Sequence, residues 1–178
     1  MFFIPGEVIS IATFPGVIVH EAAHMLFCRL RGVAVLDVCF FRVGNPAGYV
    51  VHEQAKDFTT SFLITVGPFI VNTVVCLLLC LPAFAPVQLY DVKDPLSYVL
   101  IWLGVSIGAH AFPSTGDAAG LWPLACREAG HYNPLAIISL PVVVLIYIAN
   151  ALRFFWFDVI YGVGVGIGLP IWVLNRLV

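Results

Sequence analysis

His20-Glu21-Ala22-Ala23-His24 lies inside an apolar stretch that runs from Met1 to about Leu30, and that placement decides how the chain is read. On a helix, HExxH puts two imidazoles one turn apart on one face, where both can hold one metal ion. The glutamate between them points near the same site and can take a proton from water that the ion activates. Two histidines and a glutamate are costly at membrane depth unless partners or a polar cavity receive them. A metal with its water would supply both. The pattern predicts hydrolytic chemistry at a metal site sunk in a bilayer.

Composition agrees with a bilayer setting. The chain has 178 residues, 61% of them hydrophobic and only 10% charged. A soluble domain would be close to half apolar and about a quarter charged. The expectation is an integral membrane protein with little soluble mass. Formal net charge is -2 and no basic stripe exists, so nucleic acid is not an expected partner. No Lys or Arg precedes the first apolar run and no small-x-small site closes it, so the run is read as a retained membrane helix.

Five segments are apolar and long enough to span, or nearly span, a bilayer: 4–30, 58–82, 96–112, 134–151 and 154–175. Pro5 and Pro15 interrupt the first, and Gly67-Pro68 the second. Between the first two segments the pattern changes. Val33 to Val43 is rich in β-branched and aromatic residues, Gly44-Asn45-Pro46-Ala47-Gly48 is a turn cluster, and Tyr49 to His52 is β-prone again. This predicts a hairpin. The fold class expected is an all-α membrane protein of about five transmembrane helices with a small β-hairpin between the first two. It forms one domain over 1–178, with a core at 1–125 and additional helices at 134–175.

Basic residues set an expected orientation. Arg29, Arg31, Arg42, Lys56, Arg127 and Arg176 fall on one side, and Lys93 and Arg153 on the other. The first group is expected in the cytoplasm, with the histidine pair nearer that side. The lack of an organellar presequence favours a prokaryotic plasma membrane.

A catalytic zinc site takes three protein ligands and leaves one position open, so a third ligand must come from outside HExxH. Asp117 is one candidate, in Ser114-Thr115-Gly116-Asp117 after the third apolar segment. The same four residues also scan as a helix-capping box, with Asp in place of the usual Glu. His110 is the rival, as a ligand, a donor behind the ligands or a substrate contact. Asp158 and Glu7 are expected near an interface or paired in the bundle, and His52, Glu53 and His131 at the surface.

Two other patterns have plainer readings. None of the five cysteines forms a CxxC pair, and Cys76 and Cys80 fall one turn apart in an apolar run, as small buried residues do. Gly162, Gly164, Gly166 and Gly168 lack a phosphate-binding lysine and fit small-xxx-small helix packing.

In their order along the chain, four motifs resemble the site-2 protease family of intramembrane zinc metalloproteases. They are His20-Glu21-Ala22-Ala23-His24, then Ala47-Gly48-Tyr49-Val50, then Gly67-Pro68-Phe69-Ile70-Val71-Asn72, and last His110-Ala111-Phe112-Pro113 followed by Asp117. The family commonly has Asn where His110 stands, one more residue before the aspartate, and Gly where Ala118 stands. The resemblance implies a Zn2+ ion held by His20, His24 and Asp117. It implies Glu21 as the general base and Asn72 and His110 as substrate contacts. It implies an endopeptidase that cleaves transmembrane or membrane-proximal peptide bonds. The expected partners are a membrane-protein substrate and the lipid bilayer; oligomeric state is open. The alternative expectation is a catalytically idle homologue that binds or chaperones membrane partners, and intact Glu21 weighs against it. A metal-ion carrier would need histidines and acids along a path through several helices, which the sequence lacks.

Overall fold

The computed structural model describes residues 6–92 and 94–177. Pro5 and Lys93, which enter the sequence reading, lie outside them. The chain is mostly helical, with one small two-stranded sheet.

The first apolar segment is two helices, not one. α1 (Gly6–Ala12) and α2 (Phe14–Leu30) meet at 86°. Pro15, in the first turn of α2, lacks the N–H that would continue the α1 ladder. Thr13 closes the corner instead: its hydroxyl donates to the Ile9 carbonyl at 2.6 Å, and its own carbonyl accepts from the Gly16 amide at 2.9 Å.

The predicted hairpin follows. β1 (Val35–Cys39) pairs antiparallel with β2 (Tyr49–His52), with Cys39 opposite Tyr49 and Val35 opposite His52. The Tyr49 hydroxyl donates to Asp37 at 3.0 Å, and Arg42 lies over the Tyr49 ring at 5.2 Å.

α3 (Phe58–Tyr90) is the longest element and runs through three prolines, at 68, 82 and 86. Asp57 caps its start, and Asp91 ends it in the left-handed conformation, at φ 50°. α4 (Pro95–Gly108) starts under the Asp94 cap with Pro95 in its first turn, and has only 14 residues. That is about 21 Å of helix, less than a bilayer core of about 30 Å. Two short helices, α5 (Thr115–Ala119) and α6 (Leu121–Gly130), lead to α7 (Pro134–Leu152), which Asn133 caps. A turn of 3-10 helix at Arg153–Phe155 and a left-handed Trp156 break the chain before α8 (Phe157–Val163). A π-helical stretch at Gly164–Gly168 joins α8 to α9 (Leu169–Leu177).

Among the described residues, three helices are long and apolar enough to cross a membrane: Phe58–Tyr90, Pro134–Phe155 and Phe157–Arg176. The bent pair α1–α2 makes up to four. Of the five segments expected to span or nearly span, three give full-length apolar helices, the bent pair is a possible fourth, and α4 is a shorter apolar helix, so the count of about five is not confirmed. α4 is too short, because the chain turns out of helix at Ala109 and Pro113 follows. The three long helices keep apolar side chains outward, among them Leu78, Ile138, Leu145, Ile160 and Trp172. Outward apolar faces of this extent suit lipid better than water.

Close packing among α3, α4 and α8 uses small residues. Cys76 and Cys80 are fully buried free thiols. A Cβ on Gly104 would sit 2.3 Å from the Cys80 sulfur, and one on Gly162 would sit 2.5 Å from the Ala109 amide. Of the two expected glycine pairs, Gly162 and Gly166 pack against neighbours, while Gly164 and Gly168 face open space. A second cluster, of Phe58, Leu121, Ala125, Ala136 and Val143, ties α6 and α7 to the start of α3.

The Thr60 hydroxyl and amide donate to Asp57 at 2.7 and 2.9 Å and hold its carboxyl below the usual carboxylate range. Asp57→Ala should lower unfolding stability in mild detergent by about 1 kcal/mol, the usual worth of a cap. The folded value is the depressed one. The Asp57 contribution is therefore present above the ordinary value of 3.8 and lost as pH falls through the folded value. Unfolding titrations of wild type and Asp57→Ala should converge as the medium is acidified. A constant gap between them would exclude an ionised cap.

Candidate metal centre

His20 and His24 lie four residues apart on α2, so their rings share one face, meeting edge to face with centroids 4.9 Å apart. Asp117 reaches the same place from α5. Its Oδ1 lies 3.5 Å from His24 Nε2, and its Oδ2 lies 3.9 Å from His20 Nε2. One ligand atom from each of the three residues falls within 4.8 Å of the others. Among the described residues this is the one such group, and it could hold a metal ion.

The donor set fits that use. Both histidines are buried, and His24 Nε2 has no hydrogen-bond partner. Buried polar atoms are nearly always paired, and this one has only the Asp117 carboxylate near it, at 3.5 Å, a place that could receive a cation. His20 has its tautomer fixed: Nδ1 donates to the His110 carbonyl at 2.6 Å, which leaves Nε2 without a proton and facing Asp117.

The capping box expected at Asp117 is present, and the same carboxylate belongs to the group that could hold a metal ion. Its Oδ2 accepts from the Ser114 amide and hydroxyl, each at 2.7 Å, and the Ser114 hydroxyl accepts from the Asp117 amide at 3.2 Å. That is the capping box. The cap leaves Oδ1 to face His24, so capping α5 is also how the carboxylate is aimed. Thr65 of α3 adds a bond from its hydroxyl to the Asp117 carbonyl at 3.1 Å.

His110 is not brought into the ligand group by its side chain. Its Nε2 meets the Thr13 hydroxyl at 2.7 Å, at the α1–α2 corner. That hydroxyl already donates to Ile9, so the ring is the donor. His110 meets the centre through its main-chain carbonyl, and it also lines the cavity beside the histidine pair. Asn72 is fully buried, and its amide donates to the carbonyls of Ile107 at 3.0 Å, His110 at 3.1 Å and, at a long 3.4 Å, Gly16. It binds the frame that holds His20 rather than lining the cavity.

Glu21 borders a cavity of about 1110 Å³ beside the histidine pair, with His20 and Asp117 on the same wall. The residues 44–50 of the hairpin form a second wall, and Asn150, Arg153 and Asp158 a third. Gly48 lies directly on Glu21: a Cβ there would fall 2.7 Å from Glu21 Cγ and 3.1 Å from Oε1. The third wall is tied down as well. Arg153 pairs with Asp158 at 3.1 Å, as expected of a lone acid in the bundle, and Asn150 donates to the Pro113 carbonyl at 2.9 Å. His52, Glu53 and His131 lie away from the cavity, His131 and Glu53 exposed.

Sequence reasoning did not find Thr65, Thr13, Ser114 as a carboxylate-aiming group, or the contact of Gly48 with Glu21. The signal for Ser114 was present in the capping pattern. The others depend on which carbonyl or side chain a distant helix presents.

Comparison with protein-family models, curated proteins and solved structures gives no match to this chain. The chemistry is therefore argued from the side chains.

Zinc titration of detergent-purified protein should find one tight site per chain. Asp117→Ala should abolish it. His110→Ala should keep it, because that substitution leaves the carbonyl in place. Loss of zinc in His110→Ala with retention in Asp117→Ala would reverse the ligand assignment.

Proposed function

We propose that the chain is a membrane-embedded zinc endopeptidase that cuts transmembrane or membrane-proximal segments of other membrane proteins. The observation that carries the reading is the meeting of His20, His24 and Asp117 within 4.8 Å beside a cavity that Glu21 also borders. Two nitrogens and a carboxylate oxygen are the donor set of catalytic zinc, with a position left for the reacting group. Zinc bound there supplies a Lewis acid that polarises a carbonyl and makes water nucleophilic near neutral pH.

The remaining work belongs to the chain. Glu21 takes one proton from the attacking water as its oxygen bonds to the peptide carbon, then passes that proton to the departing amine as the C–N bond breaks. Gly48 allows the hairpin to close down on Glu21 and hold its carboxylate toward the cavity. The hairpin also brings a strand beside the site, where an unwound substrate segment can lie extended. A helical substrate hides its carbonyls in its own ladder, so local unwinding has to come before attack. The cavity, at about 1110 Å³, has room for a short extended stretch. The basic residues near Arg29, Arg31, Arg42 and Lys56 favour a cytoplasmic side for the site, and a prokaryotic plasma membrane is the setting proposed.

Glu21→Gln should retain zinc and lose about 10²–10⁴-fold of the cleavage rate on a library of transmembrane peptides in liposomes. Gly48→Ala should also retain zinc and slow cleavage, because its Cβ pushes Glu21 aside. Zinc-loaded wild type that cleaves no member of the library, and a Glu21→Gln strain with an unchanged pattern of membrane-protein fragments, would favour the idle homologue.

A further inference from the structure

α1 (Gly6–Ala12) has seven residues and buries none of them, yet Gly6, Glu7, Ile9 and Ser10 wall the cavity beside the histidine pair. A helix this short is not stable by itself, and core packing does not hold it. Its angle is set at the corner where it meets α2. Among the described residues, one hydrogen bond ties α1 or that corner to the chain beyond α2: the His110 ring donates from Nε2 to the Thr13 hydroxyl at 2.7 Å. The same hydroxyl donates to the Ile9 carbonyl at 2.6 Å, so the ring grips the last turn of α1 through one oxygen.

His110 reaches the corner from an anchored base. Its carbonyl accepts from His20 Nδ1 at 2.6 Å and from the Asn72 amide at 3.1 Å. Gly16 gives the ring its room: a Cβ there would run into the Ser106 carbonyl and lie 2.7 Å from the His110 ring. One residue therefore touches both halves of the site. Its main chain holds the ring of His20, and its side chain holds the corner from which a cavity wall projects.

We propose that the His110 ring is a positioning residue for substrate: by donating to Thr13 it sets the angle of α1, and so the place of Glu7, Ile9 and Ser10, relative to the His20 ring that its own carbonyl holds. What is positioned is the extended peptide stretch that enters the cavity. An α1 that swings from its corner leaves that stretch fewer contacts, while His20, His24 and Asp117 stay where they are. This role rests on the endopeptidase reading and adds the group that registers substrate against the metal centre.

The test uses the full chain in detergent and three variants. Thr13→Val keeps the shape and loses the hydroxyl, His110→Ala loses only the ring, and Thr13→Ser keeps the hydroxyl. Hydrogen exchange of the α1 amides, read by mass spectrometry, reports the corner. Competition with a chromophoric chelator reports zinc affinity. KM and kcat on the best-cut member of the transmembrane-peptide library report substrate placement. Thr13→Val and His110→Ala should both speed α1 exchange about 2–10-fold, the factor that loss of one hydrogen bond gives, with zinc affinity kept. In Thr13→Val, KM should rise by a similar factor with kcat kept, as when binding is lost equally from ground and transition states. Thr13→Ser should match wild type throughout. Unchanged α1 exchange in His110→Ala overturns the proposal, whatever Thr13→Val does, because the Thr13 bond to Ile9 would then hold the corner alone. Zinc affinity that falls together with α1 protection overturns it too, since the tie would then support the ligands and not the wall. A cut peptide whose KM ignores Thr13→Val removes the positioning role alone. Zinc-loaded wild type that cuts no peptide overturns the endopeptidase reading, and the role with it.

Discussion

Polar side chains held away from water cost several kcal/mol unless each finds a partner, and that constraint organises this molecule. His20, Glu21 and His24 are buried on one turn of α2. Everything placed around them answers a donor or acceptor that would otherwise be stranded. The His110 carbonyl answers His20, and Asp117 faces both rings. The chain leaves helix where that carbonyl is needed: α4 ends at Gly108, two residues before His110, and the His110 ring meets Thr13 at the α1–α2 corner.

Asp117 illustrates how one carboxylate serves two demands. A cap needs an acceptor for the Ser114 amide, and a metal site needs an oxygen facing the imidazoles. Two oxygens on one planar group meet both, one each. The economy has a structural consequence. The short helix α5 has five residues, and its cap gives the Asp117 carboxylate its direction toward the histidine pair.

Much of this was legible in the residues. HExxH in an apolar run located α2 and the histidine pair, the β-branched run around a Gly-Pro cluster located the hairpin, and Ser-Thr-Gly-Asp located the α5 cap. The span count was less legible, because hydropathy sees apolar length and not direction. The first segment is apolar throughout, yet it turns by 86° at Thr13. The third is apolar to Phe112, yet it leaves the helix four residues earlier. Neither the role of the His110 carbonyl nor the burial of Asn72 could be read from side-chain chemistry. Toward His20, His110 works through its backbone, which has no residue code. Nor could the three main-chain carbonyls that meet the Asn72 amide nitrogen be read from its side-chain chemistry.

The unequal helices carry one more consequence. α3, at 33 residues, is about 50 Å long, while its partner α4, at 14 residues, is about 21 Å. No flat slab of hydrocarbon matches both. In a bilayer α3 would have to tilt, and hydrocarbon beside α4 would have to thin, at a cost of fractions of a kcal/mol per ångström. A thinned annulus on that flank would let headgroups and water reach deeper than elsewhere.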